Sequence, residues 1–157
     1  MIDEKVKEFS ERAYNVMSSL GIPQPQRPTS DLVFPDDLGS IPDQDLSKHL
    51  TYWSSMCGYV IHKCSMLDGS LTLAKRDLDQ EYDLRWVALA RTGGSSSERK
   101  HKVMSSRSMV SLRDRVATIE ADLKVFRSVL SAYELKNSAV SREITRRQTE
   151  RQYKYES

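Results

Sequence analysis

The apolar positions of this chain fall into two long stripes, and their spacing predicts two long helices. The first stripe runs through Leu46, Leu50, Trp53, Cys57, Val60, Cys64, Leu67, Leu71, Ala74 and Leu78 in alternating steps of four and three, the repeat of a heptad seam. Its next two positions are Glu81 and Arg85, and the stripe moves to Tyr82, Trp86 and Leu89, a four-residue stutter that locally unwinds a supercoil. A second row, Tyr52, Met56, Tyr59, Met66 and Leu73, lies beside the first. One partner helix cannot cover both rows, so burial between several neighbours or assembly with further copies is expected. The second stripe runs through Met109, Leu112, Val116, Ile119, Leu123, Phe126, Leu130, Tyr133, Asn137, Val140 and Ile144. Its next positions are Arg147 and Arg151, so the seam is expected to end near residue 144 and leave a basic tail containing Tyr153 and Tyr155. Asn137 reads either as a register-setting polar residue on the seam or as an exposed one where the helix bends away.

Helix breakers divide the rest. Asp3 is a candidate N-cap, and Val6, Phe9, Ala13, Val16, Met17 and Leu20 recur at helical spacing until Gly21-Ile22-Pro23, which predicts a short amphipathic helix over 1–20. All five prolines lie between Pro23 and Pro42, where missing N–H donors and fixed φ prevent regular helix, so 21–42 is expected to be a linker. Within it, Leu32-Val33-Phe34 reads as a segment that tacks the linker to its own domain or docks on a neighbour. Asp43 or Asp45 is positioned to cap the next helix. Thr92-Gly93-Gly94-Ser95-Ser96-Ser97 is the second interruption, which makes 43–157 a helical hairpin turning near 92–97. The expected class is all-α: a long antiparallel hairpin with heptad seams and a short N-terminal helix on a proline-rich arm. Each leg would extend ~70 Å at the α-helical rise, too long for the thin core of an isolated pair, so a homo-oligomer is expected. Trp53, Val60, Leu67, Phe126, Leu130, Tyr133, Asn137, Val140 and Ile144 are the residues assigned to its interface.

Composition supports that architecture. Of the 157 residues 38% are apolar and 29% charged, low and high respectively for a thick globular core. The longest apolar run, Met56 to Ile61, is far too short for a membrane span. The charged first residues do not read as an export signal, so a cytoplasmic location is expected. Net charge is +2 but unevenly placed: residues 1–45 carry four bases against nine acids, and residues 91–157 fifteen against eight. Such segregation suggests a basic partner-facing half and an acidic arm able to compete for the same surface.

The inventory for catalysis is poor. His49, His62 and His101 lie far apart in the chain without metal-ligand spacing. Cys57 and Cys64 sit on the seam and read as small buried hydrophobes. Gly93 to Lys100 lacks the ending of a P-loop. No metal, no cofactor and no catalytic residue is expected. What remains is the basic window around the turn, which attracts phosphates. Lys75, Arg76, Arg85, Arg91, Arg99, Lys100, Lys102 and Arg107 are its candidate nucleic-acid-binding residues, with Tyr82 and Trp86 read either as core or as faces for unpaired bases.

This layout resembles the UvsY-type recombination mediators of tailed bacteriophages. The resemblance covers about residues 46–150: a helix opening with Leu46-Ser47-Lys48-His49-Leu50, a charged stretch before Gly93-Gly94, a re-entry at Lys102-Val103-Met104-Ser105, and a closing helix with Ser141-Arg142-Glu143-Ile144. In that family, basic residues just before the turn look important for DNA contact; Arg85 and Arg91 stand near the matching positions, more widely separated. The resemblance implies a non-enzymatic, ring-forming protein that binds single-stranded DNA and promotes recombinase loading, with a recombinase and a single-strand-binding protein as partners. The alternative from a different class is a structural or scaffolding coiled-coil protein whose basic half recognises an acidic protein.

Overall fold

A computed structural model describes residues 2–91 and 93–156 and, apart from Thr92, the side chains of residues 7–155. The expected cap at Asp3, the first stripe residue Val6, and Thr92 in the turn lie outside the described residues or side chains. Among the described residues the chain is all-helical, with no strand: α1 (Ile2–Ser19), a 3-10 turn (Leu38–Ser40), α2 (Asp43–Ala90), α3 (Ser96–Met104) and α4 (Arg107–Glu156). Every position of both apolar stripes is buried or half-buried. The packed residues form two compact units, each drawing on two separate stretches of sequence.

The first unit comprises Met1–Ile22 and Cys64–Val125. α1 ends in a Schellman motif: the Ile22 N–H donates to Met17 O (2.9 Å) and the Gly21 N–H to Ser18 O (3.1 Å), with Gly21 at φ 67°. Phe9, Ala13 and Met17 are half-buried, but Val16 and Leu20 are exposed, so the apolar face of α1 is narrower than its sequence suggests. α1 reaches α2 through Phe9, whose ring lies over Gly69 so closely that a Cβ there would stand 2.2 Å from Cζ. Cys64, Ser70 and Ala74 of α2, Val103 of α3, and Met109, Ile119 and Leu123 of α4 are buried. Polar contacts order α2 against α4 in opposite directions: Lys75 pairs with Glu120 at 2.8 Å, Asp77 with Arg115 at 3.6 Å, and Glu81 and Arg85 meet Ser108. This part of the chain is therefore an antiparallel hairpin.

The second unit comprises Pro23–Lys63 and Phe126–Ser157. Its core is Leu46, Trp53, Met56 and Val140, packed against Phe34, Leu38 and Ile41 of the arm and Tyr133 and Ile144 of α4. Burying one such side chain contributes about 1.5–3 kcal/mol. Contacts again run antiparallel, with Asp43 against Arg147 and Ser54 Oγ donating to Asn137 Oδ1 at 3.0 Å. The proline-rich segment is more than a connector here. Phe34 sets its ring edge-on to Trp53 (5.9 Å) and His49 (6.5 Å), while Val33 is 84% exposed. Neither expected aspartate caps α2: the Asp43 carboxylate pairs with Arg147 and Arg151, and Asp45 with Lys48.

Candidate nucleic-acid interface

The turn between α2 and α4 belongs to the first unit. Gly93 (φ 73°) and Gly94 (φ 100°) both occupy backbone conformations that strain an L side chain, so this pair reverses the chain where other residues would resist. The chain re-enters helix through a capping box: the Glu98 N–H donates to Ser95 Oγ (3.2 Å) and the Ser95 N–H to Glu98 Oε2 (3.0 Å). α3 is pinned inward by fully buried Val103 and capped at its C-terminal end by Ser105, whose N–H donates to His101 O; α4 starts two residues after that cap. The basic stretch is thus built on a short capped helix of its own and on two helix ends, a subdivision that the apolar stripes do not show.

The structure sorts the expected track into three groups. Arg91, Lys100, Lys102 and Arg107 are exposed, and among the described residues none of them joins an ion pair. Arg76, on α2, is also exposed and unpaired among the described residues. Lys75 and Arg85 are engaged, the first by Glu120 and the second by Glu81 and Ser108. Ser108 Oγ and Arg85 together hold the Glu81 carboxyl below the usual carboxylate range. Arg99 is half-buried, its guanidinium 5.3 Å from the centroid of Trp86. Trp86 in turn stacks on Tyr82 at 5.9 Å and 15°. Trp86 is thus half-buried, with its ring in contact with Tyr82 and Arg99. Arg115, which belongs to the same basic window in the sequence, is buried beside Asp77 and offers no charge to a ligand.

The basic tail, in the second unit, is organised differently. Arg147 spends every guanidinium nitrogen inside the chain: Nε donates to Glu143 (2.7 Å), Nη1 to Ile41 O and Asp43 (both 2.8 Å), and Nη2 to Leu38 O (2.9 Å) and Gly39 O (3.0 Å). Its side chain is only 16% exposed. Arg151 also pairs with Asp43, and Arg146 with Glu143 and Glu150. Arg146 first and then Arg147 pull the Glu143 carboxyl down to about 2, and Arg147 and Arg151 lower that of Asp43. Within this unit the tail's arginines are thus neutralised by Glu143 and Glu150 of their own helix and by Asp43 from the acidic segment.

Of the residues assigned to an oligomer interface, Trp53, Val60 and Val140 are buried within the single chain, which removes their surface from any partner. Leu67, Phe126, Leu130, Tyr133 and Ile144 are half-buried, and half-buried Asn137 accepts from Ser54 instead of facing solvent. Cys57 and Cys64 are both buried without forming a disulfide, and burial pushes the Cys57 thiol up. Among the described residues no group of three His, Cys, Asp or Glu side chains is placed to hold a metal ion, and no helix is long and apolar enough to cross a membrane. No protein-family model, curated protein or solved structure matches this chain.

Proposed function

We propose that this protein binds the phosphate backbone of single-stranded DNA at the α2–α3–α4 turn and, without catalysis of its own, promotes recombinase loading. The observation that carries the reading is selective pairing of charge: Arg147, Arg146 and Arg151 are neutralised within the fold, whereas Arg91, Lys100, Lys102 and Arg107 are exposed with no ion pair among the described residues. Unpaired cations gathered on a turn attract a polyanion, and the counterions that the polyanion then sheds drive association. The recombination role rests on the resemblance in layout, and a working homo-oligomer on the two adjacent apolar rows of the first long stripe. Exposed Ile61, Val125 and Leu135 are consistent with self-association.

The test is the Lys100→Glu, Lys102→Glu double variant. Affinity for labelled single-stranded DNA should fall, and the slope of log affinity against log salt should flatten by about 0.7 for each phosphate that is no longer neutralised. Helicity should be unchanged, because neither residue is buried. Unaltered affinity and slope would remove the turn from the interface. Absence of DNA binding by the parent protein at low salt would favour the scaffolding reading, which is supported by Leu84 and Val87 on α2, 70% and 62% exposed within two turns of Arg91, a surface suited to an apolar, acidic protein partner.

A further inference from the structure

Lys136 of α4 joins no ion pair among the described residues, yet its ammonium is held at three aromatic rings. Nζ lies 4.3 Å from the centroid of Trp53, 5.7 Å from that of Phe34 and 5.9 Å from that of Tyr133. These rings come from α2, the arm and α4, so one charge bridges all three segments of the second unit. A cation over a ring is attracted to its electron-rich face, and the attraction strengthens as water is excluded. Upstream of Phe34 only Leu32 and Pro28 are half-buried; the other residues from 20 to 31 are exposed, as is Val33. Beside Phe34, Nε1 of Trp53 and Nδ1 of His49 are buried with no hydrogen-bond partner among the described residues, a polar cost that lifting the arm would relieve. The closed arm is therefore held in part by a charge, against an opposing term.

We propose that Lys136 is a modification-sensitive latch, and that acylation of its Nζ releases the arm around Phe34 from α2 and α4. The co-reactant is an acyl donor of the thioester class. The deprotonated Nζ adds to the thioester carbonyl, the N–C bond forms as the C–S bond breaks, and the departing thiolate takes up the amine proton. While the latch is closed Nζ faces the rings and is kept from an acyl donor; once the arm lifts, it is presented. The amide that forms has no cation to return, so acylation retains the open state. Methylation, which preserves the charge, leaves the latch closed.

The test uses the full chain with Nε-acetyl-lysine or Nε-trimethyl-lysine installed at position 136, beside Lys136→Met and Lys136→Arg. Opening is read by a protease that cuts before Asp36 and Asp37, and by Trp53 fluorescence in a Trp86→Phe background. The acetylated and Met forms should be cut about fivefold or more faster than the parent, and the trimethylated and Arg forms within about twofold of it, at unchanged helicity. Equal protection of acetylated and unmodified protein overturns the proposal, as does loosening of the Arg form to the extent of the Met form, since shape rather than charge would then hold the arm. Should the Met variant lose helicity, the acetylated and trimethylated pair decides alone.

Discussion

Arg147 is a residue whose sequence context and structural role point in opposite directions. It falls on the register of the second stripe three residues after Ile144, where a basic side chain reads as the end of a seam. In the structure the register persists and its chemistry changes: Arg147 and Arg151 face Asp43 at the start of α2, and the arm carbonyls of Leu38, Gly39 and Ile41 complete the set. Glu81 and Arg85, the off-pattern residues of the first stripe, do the same against Ser108. A tally of apolar positions cannot show this, because an ion pair on a seam exists only once the partner helix is beside it. The clamp predicts an acid response. Glu143 titrates near 2 in the fold against an ordinary value of 4.5, so it contributes stability above about 4.5 and loses it as pH falls toward 2, and Asp43, lowered from its ordinary 3.8, acts in the same direction. Trp53 fluorescence in a Trp86→Phe background should report loosening across that range, and Glu143→Gln should flatten the response. A Trp53 signal constant to pH 2 would show that the clamp does not hold the unit. Arg147→Lys should lower the melting temperature nearly as far as Arg147→Ala, since an ammonium cannot reach three carbonyls and two carboxylates from one position.

At the level of elements, α1 and the two long helices are legible in the sequence and α3 is not. α2 and α4 announce themselves by more than thirty residues each of unbroken heptad spacing. α3 starts inside the stretch that reads as a turn and ends before the second stripe begins, although Ser95-Ser96-Ser97-Glu98 contains the S-x-x-E signature of a capping box. The docking of α1 is equally invisible, since nothing in the pattern around Gly69 says that a ring will need its missing Cβ. Gly69→Ala tests that docking directly. The added methyl would overlap the Phe9 ring, so α1 should detach or shift, with amide exchange and protease access rising along residues 2–19. α2 should keep its helicity or gain slightly, because alanine favours helix over glycine by about 1 kcal/mol. If Gly69→Ala has no further effect on thermal stability in a Phe9→Ala background, the overlap is the cause; unchanged protection of α1 in the single variant would place its anchorage elsewhere.

For the whole molecule, the chain visits its two units alternately, and this interleaving is not legible either, because periodicity carries no information about which stretches cluster. Leu46 sits at the heart of the second unit with 1% of its surface exposed. Leu46→Ala should cost about 2–5 kcal/mol in urea denaturation, and a loss under about 1 kcal/mol would mean that the core closes around the gap. The interleaving also sets a timetable. The hairpin contacts of the first unit close over short spans, Arg85 with Ser108 being 23 residues apart, whereas Ser54 and Asn137 are separated by 83 and Leu38 and Arg147 by 109. The extra loop entropy is modest, about 1.2 kcal/mol for a fourfold longer span, and of little consequence to a finished chain in solution. On the ribosome the delay is absolute. At about 5–20 residues per second, the 83 residues between Ser54 and Asn137 take roughly 4–17 s to make, and for that time Leu46, Trp53 and Met56 have no α4 to cover them. The first unit is complete while the apolar half of the second still waits. Nascent chains arrested at successive lengths should show Trp53 becoming protected only after Tyr133 to Arg147 have left the exit tunnel, making this stretch of translation the period in which the protein depends most on being shielded by other factors.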